Sequence, residues 1–278
     1  MSRETLRGKN YGRGRYKKLY TKLWWLSGNW HADSPLGACQ LPPIELYTIT
    51  FNSGGFMERF YRYLCECIFI AIFAFVIFNN KSVSYGIDEV PLYNGEPYVV
   101  IDNNEPSFSK LVKDSFELYS DLDSLGRCGV AYASIGPDLM PTEKRGSIGS
   151  VKPSGWHTVK YDIVDGKYLY NRCHLIGYQL TGQNANPNNL ITCTRETNSK
   201  TMLEFENKVA SYIKETGNHV MYRVTPKFYG DNLVASGIEM EAKSVEDNGA
   251  GLKFHVYVYN VETGIDIDYK TGESSLSN

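Results

Sequence analysis

The sequence lacks the spacings that build a zinc site: its six cysteines include no CxxC pair and no Cys/His set at metal-ligand intervals. No segment repeats at a fixed period and no long low-complexity tract occurs, which excludes a repeat architecture. There is no stretch of ~20 apolar residues, the length that spans a bilayer. The apolar run Cys67–Phe78 has only twelve residues. The chain also lacks a strong net charge, standing at −2 over 278 residues, so it is not a generic basic nucleic-acid binder. What it has in quantity is aromatic side chains, with Tyr dominant. These favour half-buried pleated surfaces and point to a sheet-rich domain.

The small net charge hides a division along the chain. Residues 1–56 carry eight Lys/Arg against three Asp/Glu, whereas residues 85–278 carry 18 against 26. Inside that acidic part, residues 144–208 reverse the sign, with nine basic and five acidic residues. A local basic excess in an acidic shell focuses anions onto one place.

Residues 57–84 have the order of an export signal: Arg59 and Arg62, then the uncharged apolar run, then polar residues ending in Ser82-Val83-Ser84. Two outcomes stay open, a cleaved signal or a membrane anchor through 64–78. Glu66 argues against extending the apolar run backwards, because a carboxylate is costly in hydrocarbon. Either outcome puts the remainder outside the membrane, secreted or on its outer face. Met57 opens a complete signal-like segment, so residues 1–56 are expected to be a disordered basic extension or a mis-assigned start. Three cysteines, Cys128, Cys173 and Cys193, remain in the globular part. At most one disulfide can form among them, and the sequence leaves open whether Cys173 is bridged to Cys193.

The globular part, 85–278, is expected to be α+β with a mostly antiparallel sheet. Strands are expected at Pro97–Ile101, and at Phe116–Ser120 with Cys128–Ser134 as a hairpin. Residues 135–158 are rich in Gly, Pro and Ser and are expected to form a long loop carrying Lys144, Arg145, Lys152 and Trp156. Then come a strand over Tyr168–Tyr178, a turn-rich loop Thr181–Asn188 and a strand over Asn189–Arg195. A helix from about Asn198 follows, with Met202, Phe205, Val209 and Ile213 as its apolar stripe and Gly217 as its cap. Alternation over His219–Phe228, Leu233–Val245 and Leu252–Val261 predicts three further strands, with Asn248-Gly249 as a hairpin turn.

A strand–loop–strand–helix unit can gather His174, Asn189, Asn198 and Glu206 around one pocket, with Arg172 beside the histidine. Histidine is suited to accepting a proton near neutral pH. An asparagine oxygen is a hard neutral ligand for Mg²⁺, which keeps several waters that a carboxylate can hold. An arginine stabilises a phosphate gaining charge. Each residue also has a plainer explanation: Asn198 as a helix N-cap, Asn189 as a turn residue, Glu206 as a solvated helix position.

The segments NRCH, NNLIT, TRETN and FENKV, in this order, resemble the DNA/RNA non-specific endonucleases with a ββα-metal finger. That family's signature is Asp-Arg-Gly-His on one strand, an Asn-hydrophobic-Ile-Thr strand, an Asn at the helix start and a Glu eight residues later. The block EKRGSIGSVKPSGW at 143–156 is similar to the segment preceding the motif in bacterial DNA-entry-nuclease-like members. The resemblance implies His174 as general base, Asn198 as direct Mg²⁺ ligand (Mn²⁺ possible), and Glu206 and Asn189 holding metal-bound water or orienting the site. Arg172 and Arg145 would contact the phosphate of DNA, RNA or both, and Trp156 would pack the loop or stack a base. Two positions depart from the signature, Asn171 for Asp and Cys173 for Gly. Strand alternation puts these two on the face opposite Arg172 and His174, away from the chemistry. The alternative is a non-catalytic nucleic-acid-binding protein weakened at Asn171.

Overall fold

A computed structural model describes residues 60–70 and 84–277. The chain divides into two units, Met1–Ile70 and Ala71–Asn278. In the first, residues 60–70 are helical and exposed. The expected extension 1–56 and most of the expected signal or anchor segment 57–84 lie outside the described residues. Among the described residues no helix is long and apolar enough to cross a membrane; residues 71–78 of the expected anchor 64–78 lie outside them.

In the second unit, a short β1 (Ser84–Tyr85) runs parallel to β2 (Tyr98–Ile101). The hairpin expected around DLDSLGR forms as β3 (Phe116–Tyr119) and β4 (Ala131–Ile135). Residues 136–158 contain no strand or helix, as their Gly/Pro/Ser content requires. β5 (Tyr170–His174) and β6 (Leu190–Thr194) then pair with each other alone. Three long strands follow, β7 (Val220–Lys227), β8 (Gly237–Ser244) and β9 (Lys253–Tyr259). A small hairpin, β10 (Ile265–Ile267) and β11 (Ser274–Leu276), ends the chain. The main sheet has the order β1-β2-β9-β8-β7-β4-β3, antiparallel except at β1–β2. Asn248 and Gly249 both adopt positive φ, 54° and 88°, in the turn between β8 and β9.

Two helices matter here, the single turn α1 (Tyr178–Thr181) and α2 (Leu203–Thr216). α2 continues a π-helical stretch over Thr197–Met202 and stops at Gly217, whose φ of 71° only glycine adopts without strain. The expected stripe is buried: Met202, Phe205, Val209 and Ile213 are each at most 3% exposed. Phe205 packs 4.9 Å from Phe254 of β9 and 5.0 Å from Tyr98 of β2. The same core takes in Cys173, Ile191 and Cys193, so helix, main sheet and β5–β6 hairpin share it. Each large apolar side chain so buried contributes ~1.5–3 kcal/mol.

Cys173 and Cys193 are disulfide-bonded, their Cα atoms 5.8 Å apart. The bridge crosses β5–β6 diagonally, since Cys173 faces Ile191 and Asn171 faces Cys193 in the register. Closing a loop of this size contributes about 3 kcal/mol. Cys128 is the buried free thiol, lying 3.2 Å from the Pro187 and Leu190 carbonyl oxygens. Burial pushes its pKa up to about 11, which keeps it unreactive.

Several boundaries differ from expectation. The strand expected over 168–178 spans five residues, because the chain turns at Gly177 into α1 and caps it at Gly182 with φ 67°. The strand expected from Leu233 begins at Gly237, because the Leu233 and Val234 N–H groups donate instead to Lys270 and Tyr269 carbonyls. Helical backbone is already in place at Glu196, so Asn198 lies inside the first turn and is not its N-cap.

Candidate active site

His174 is the last residue of β5 and is buried. Its Nε2 lies 2.7 Å from the Asn184 carbonyl oxygen. A carbonyl only accepts, so Nε2 carries the proton and Nδ1 is left bare. Burial lowers the His174 pKa below the usual histidine value, and the Arg145 charge adds to this against the Asn184 and Gln183 carbonyls. The ring is therefore neutral at pH 7 and able to accept a proton.

Glu206 stands one turn into α2 and is 9% exposed. Burial pushes its carboxyl up to about 8, against the opposing pull of the Gln179 side chain and the Arg145 charge. Gly177 makes room for it: a Cβ there would lie 2.5 Å from Glu206 Oε2. His174, Glu206, Asn198, Arg145, Gly177 and Gln179 line one cavity of about 330 Å³. Asn198 and Arg145 also line a second cavity of about 480 Å³, with Asn171 and Arg172. Arg145 makes no hydrogen bond or ion pair among the described residues, so its charge is available to a ligand.

Arg172 is clamped. Its Nε donates to Val151 O at 2.5 Å and its Nη2 to Gly149 O at 3.0 Å, while its guanidinium stacks 3.9 Å from the Trp156 ring centre. Trp156 thus packs the long loop against β5, alongside Val164, Leu169 and Tyr170. Thr192 of β6 adds a hydrogen bond to Ser154 O at 2.8 Å.

One expectation narrows to a single alternative and one needs correction. Asn189 is fully buried and lines neither cavity; its amide exchanges two hydrogen bonds with the Ile176 backbone, at 2.9 and 3.0 Å. Its donor and acceptor are already used on the chain just after His174, so it orients that segment and holds no water in the cavity. Asn171 was expected to face away from the chemistry, yet it lines the second cavity with Arg172 and Asn198. β5 has a neighbour on one edge only, and its open edge lets residues from both faces border the cleft. The Asn171 Nδ2 is buried without a hydrogen-bond partner, as is Asn184 Oδ1.

These residues fit a hard divalent cation. Asn198 offers a neutral oxygen, and Glu206 is a buried carboxyl that burial raises to about 8, a cost a nearby cation would offset. The cluster Glu239, Glu241 and His255 fits one less well, because Lys227 and Arg223 already neutralise its carboxylates. Sequence reasoning missed Gly177 and the Asn184 carbonyl. The glycine three residues after His174 was a visible signal; the carbonyl belongs to the backbone and has none.

A bare imidazole nitrogen, a buried carboxylate, an asparagine oxygen and two arginines, spread over two cavities that share Arg145 and Asn198, suit hydrolysis of an anionic ester. With β5, β6 and α2 as its frame, the class is that of the ββα-metal nucleases. The chain belongs to the DNA/RNA non-specific endonuclease family, whose model matches residues 106–246, a span that includes every residue named around the two cavities. Its substrate class is accordingly DNA or RNA. Among solved structures, NucA from Streptococcus agalactiae with magnesium ion bound is 25% identical, with a TM-score of 0.61 over 69% of this chain and 94% of that one. The same nuclease with no metal bound gives the same identity and TM-score, over 69% and 92%. Sda1 nuclease with bound zinc ion is 30% identical over 59% of this chain and 80% of that one, at a TM-score of 0.49.

Proposed function

We propose that this protein is an exported endonuclease that hydrolyses phosphodiester bonds of DNA, RNA or both, with Mg²⁺ held directly by Asn198 and through water by Glu206. Mn²⁺ can take the same place. The observation that carries this reading is the His174 Nε2–Asn184 O hydrogen bond, which leaves Nδ1 bare in a cavity shared with Asn198, Glu206 and Arg145. His174 Nδ1 takes the proton from the attacking water. Arg145 and the remaining Nη1 of Arg172 bind the phosphate oxygens and offset the charge that grows on them. A divalent cation held by Asn198 and, through water, by Glu206 would supply Lewis-acid polarisation and charge neutralisation at the phosphate. Contacts of this kind grip the backbone and carry little sequence preference.

The NucA structure with bound magnesium supports the choice of metal. The basic-then-apolar order of 57–84 and the Cys173–Cys193 disulfide support export, since such bridges persist in oxidising compartments. The test is plasmid digestion with Mg²⁺, with EDTA, and with His174→Ala. Cleavage that EDTA stops and the substitution abolishes is expected. DNA retention in a gel without cleavage would instead mark a binding protein.

A further inference from the structure

The second cavity is larger than the chemistry of one phosphate requires, and its wall has a composition of its own. It is lined by three arginines, Arg145, Arg172 and Arg195, and by no aspartate or glutamate. Arg145 and Arg172 belong to the phosphate grip already described; Arg195 does not. Its backbone N–H donates to Leu169 O at 2.7 Å, fixing it at the end of β6. Its guanidinium is held by Asp165, with Nη2 at 3.0 Å and Nε at 3.3 Å from Oδ2. Asp165 is itself 73% exposed, so this pair is weak and leaves the arginine able to take a second anion. Tyr168 lines the same cavity and is 48% exposed, a large ring left open to water beside a cationic wall. The Lys160 ammonium covers one part of it, 4.5 Å from the ring centre. Neither feature serves the core: Tyr168 stays outside the cluster that buries Leu169 and Tyr170.

A guanidinium beside an open aromatic ring is the pairing that binds single-stranded nucleic acid, the charge taking a phosphate and the ring a base. We propose that this cavity is a subsite for the nucleotide next to the scissile phosphate, with Arg195 binding the neighbouring phosphate and Tyr168 stacking the base. This rests on the nuclease reading and deepens it: the preferred substrate is a strand of several nucleotides rather than an isolated diester. Asp165 positions Arg195 over the cavity.

The test measures binding of a labelled single-stranded oligonucleotide to the full-length protein by fluorescence anisotropy, in EDTA, over a salt series. Arg195→Ala is expected to weaken binding about tenfold and to reduce the slope of log affinity against log salt by about 0.7, the loss of one phosphate contact. Tyr168→Ala is expected to weaken binding about tenfold with the slope unchanged. Arg195→Lys should keep the slope and Tyr168→Phe the affinity, which separates these roles from loss of folding. With Mg²⁺, the ratio of kcat/KM on the oligonucleotide to kcat/KM on bis(p-nitrophenyl) phosphate should fall in both alanine variants. An unchanged slope in Arg195→Ala overturns the phosphate assignment, and unchanged affinity in Tyr168→Ala overturns the stacking one. Because binding is read without metal, absence of cleavage by the native protein would remove the catalytic reading and leave the subsite result standing.

Discussion

Among the described residues two sites each hold a buried histidine and a buried glutamate, and they titrate in opposite directions. On the main sheet, His255 Nε2 lies 2.8 Å from Glu239 Oε1 and 3.6 Å from Glu241 Oε1. Burial alone would lower His255, but the Glu239 hydrogen bond and the Glu241 charge outweigh it and raise the pKa. Burial would likewise raise Glu239, yet the His255 and Lys227 hydrogen bonds bring it down to about 2. Arg223 completes the pairing by bridging to Glu241 at 2.5 Å. In the cleft, His174 is lowered and Glu206 is raised to about 8, both chiefly by burial. The same two residue types are locked in their charged forms where charged partners outweigh burial and held neutral where burial outweighs the partners. The first arrangement holds a sheet together, and the second is the one to which we assign proton transfer and cation binding.

That contrast breaks most sharply under substitution of the two histidines. His174→Ala should lower kcat on plasmid DNA by about a thousandfold and leave the thermal midpoint close to native. His255→Ala should do the reverse, costing about 3 kcal/mol in urea unfolding while the folded protein keeps its turnover. A variant at 255 that loses turnover before it unfolds would erase the distinction.

Glu206→Gln sharpens it on the carboxylate side. Glu206 has its folded pKa raised, so its stabilisation is complete below about 4.5 and is lost as pH rises toward about 8. His174 has a lowered pKa, so its part is complete above about 6.5 and is lost as pH falls. Glu239, lowered to about 2, contributes above about 4.5 and fails only in acid, and the raised His255 contributes below about 6.5 and is lost above it. In EDTA the native protein should therefore lose stability between pH 5 and 8, by about 3 kcal/mol at pH 7 from Glu206. Glu206→Gln should remove most of that loss and Mg²⁺ should suppress it in the native protein, both read by thermal melts. A flat native profile in EDTA would show that Glu206 is not starved of positive charge.

Reduction of Cys173–Cys193, or Cys173→Ser with Cys193→Ser, should cost about 3 kcal/mol and lower activity with it, because the bridge ties the strand that carries His174. The smallest expected effect is a gain. Asn171→Asp removes the buried unpartnered Nδ2 and adds a carboxylate to the wall beside Arg172 and Asn198. Turnover at saturating Mg²⁺ should rise several-fold, by about 1 kcal/mol of barrier. No change would mean that this position lies outside the chemistry after all, and a fall that the added charge opposes the phosphate.

Much of this was legible beforehand where periodicity is long. The stripe Met202, Phe205, Val209, Ile213 and the alternation in β7, β8 and β9 repeat often enough to overrule local preference. The order of Arg172, His174, Asn198 and Glu206 was equally plain as a motif. The hairpin β10–β11 was not, since three-residue strands with exposed polar positions carry no period to detect. The placing of Asn171 was also out of reach: alternation along β5 assigns it a face, but whether that face meets a cleft depends on the strand having an open edge.

The sequence by itself determined the kinds of group available and the elements that carry them, because side-chain chemistry and apolar spacing are local properties. Tertiary structure decided which groups are left wanting. The Asn184 carbonyl that fixes the His174 tautomer is ten residues away across a loop. Gly177 opens the space that Glu206 enters, and Asn189 spends its amide on Ile176 and not on water. Burial and partner count set those outcomes, and both depend on what the rest of the chain places nearby.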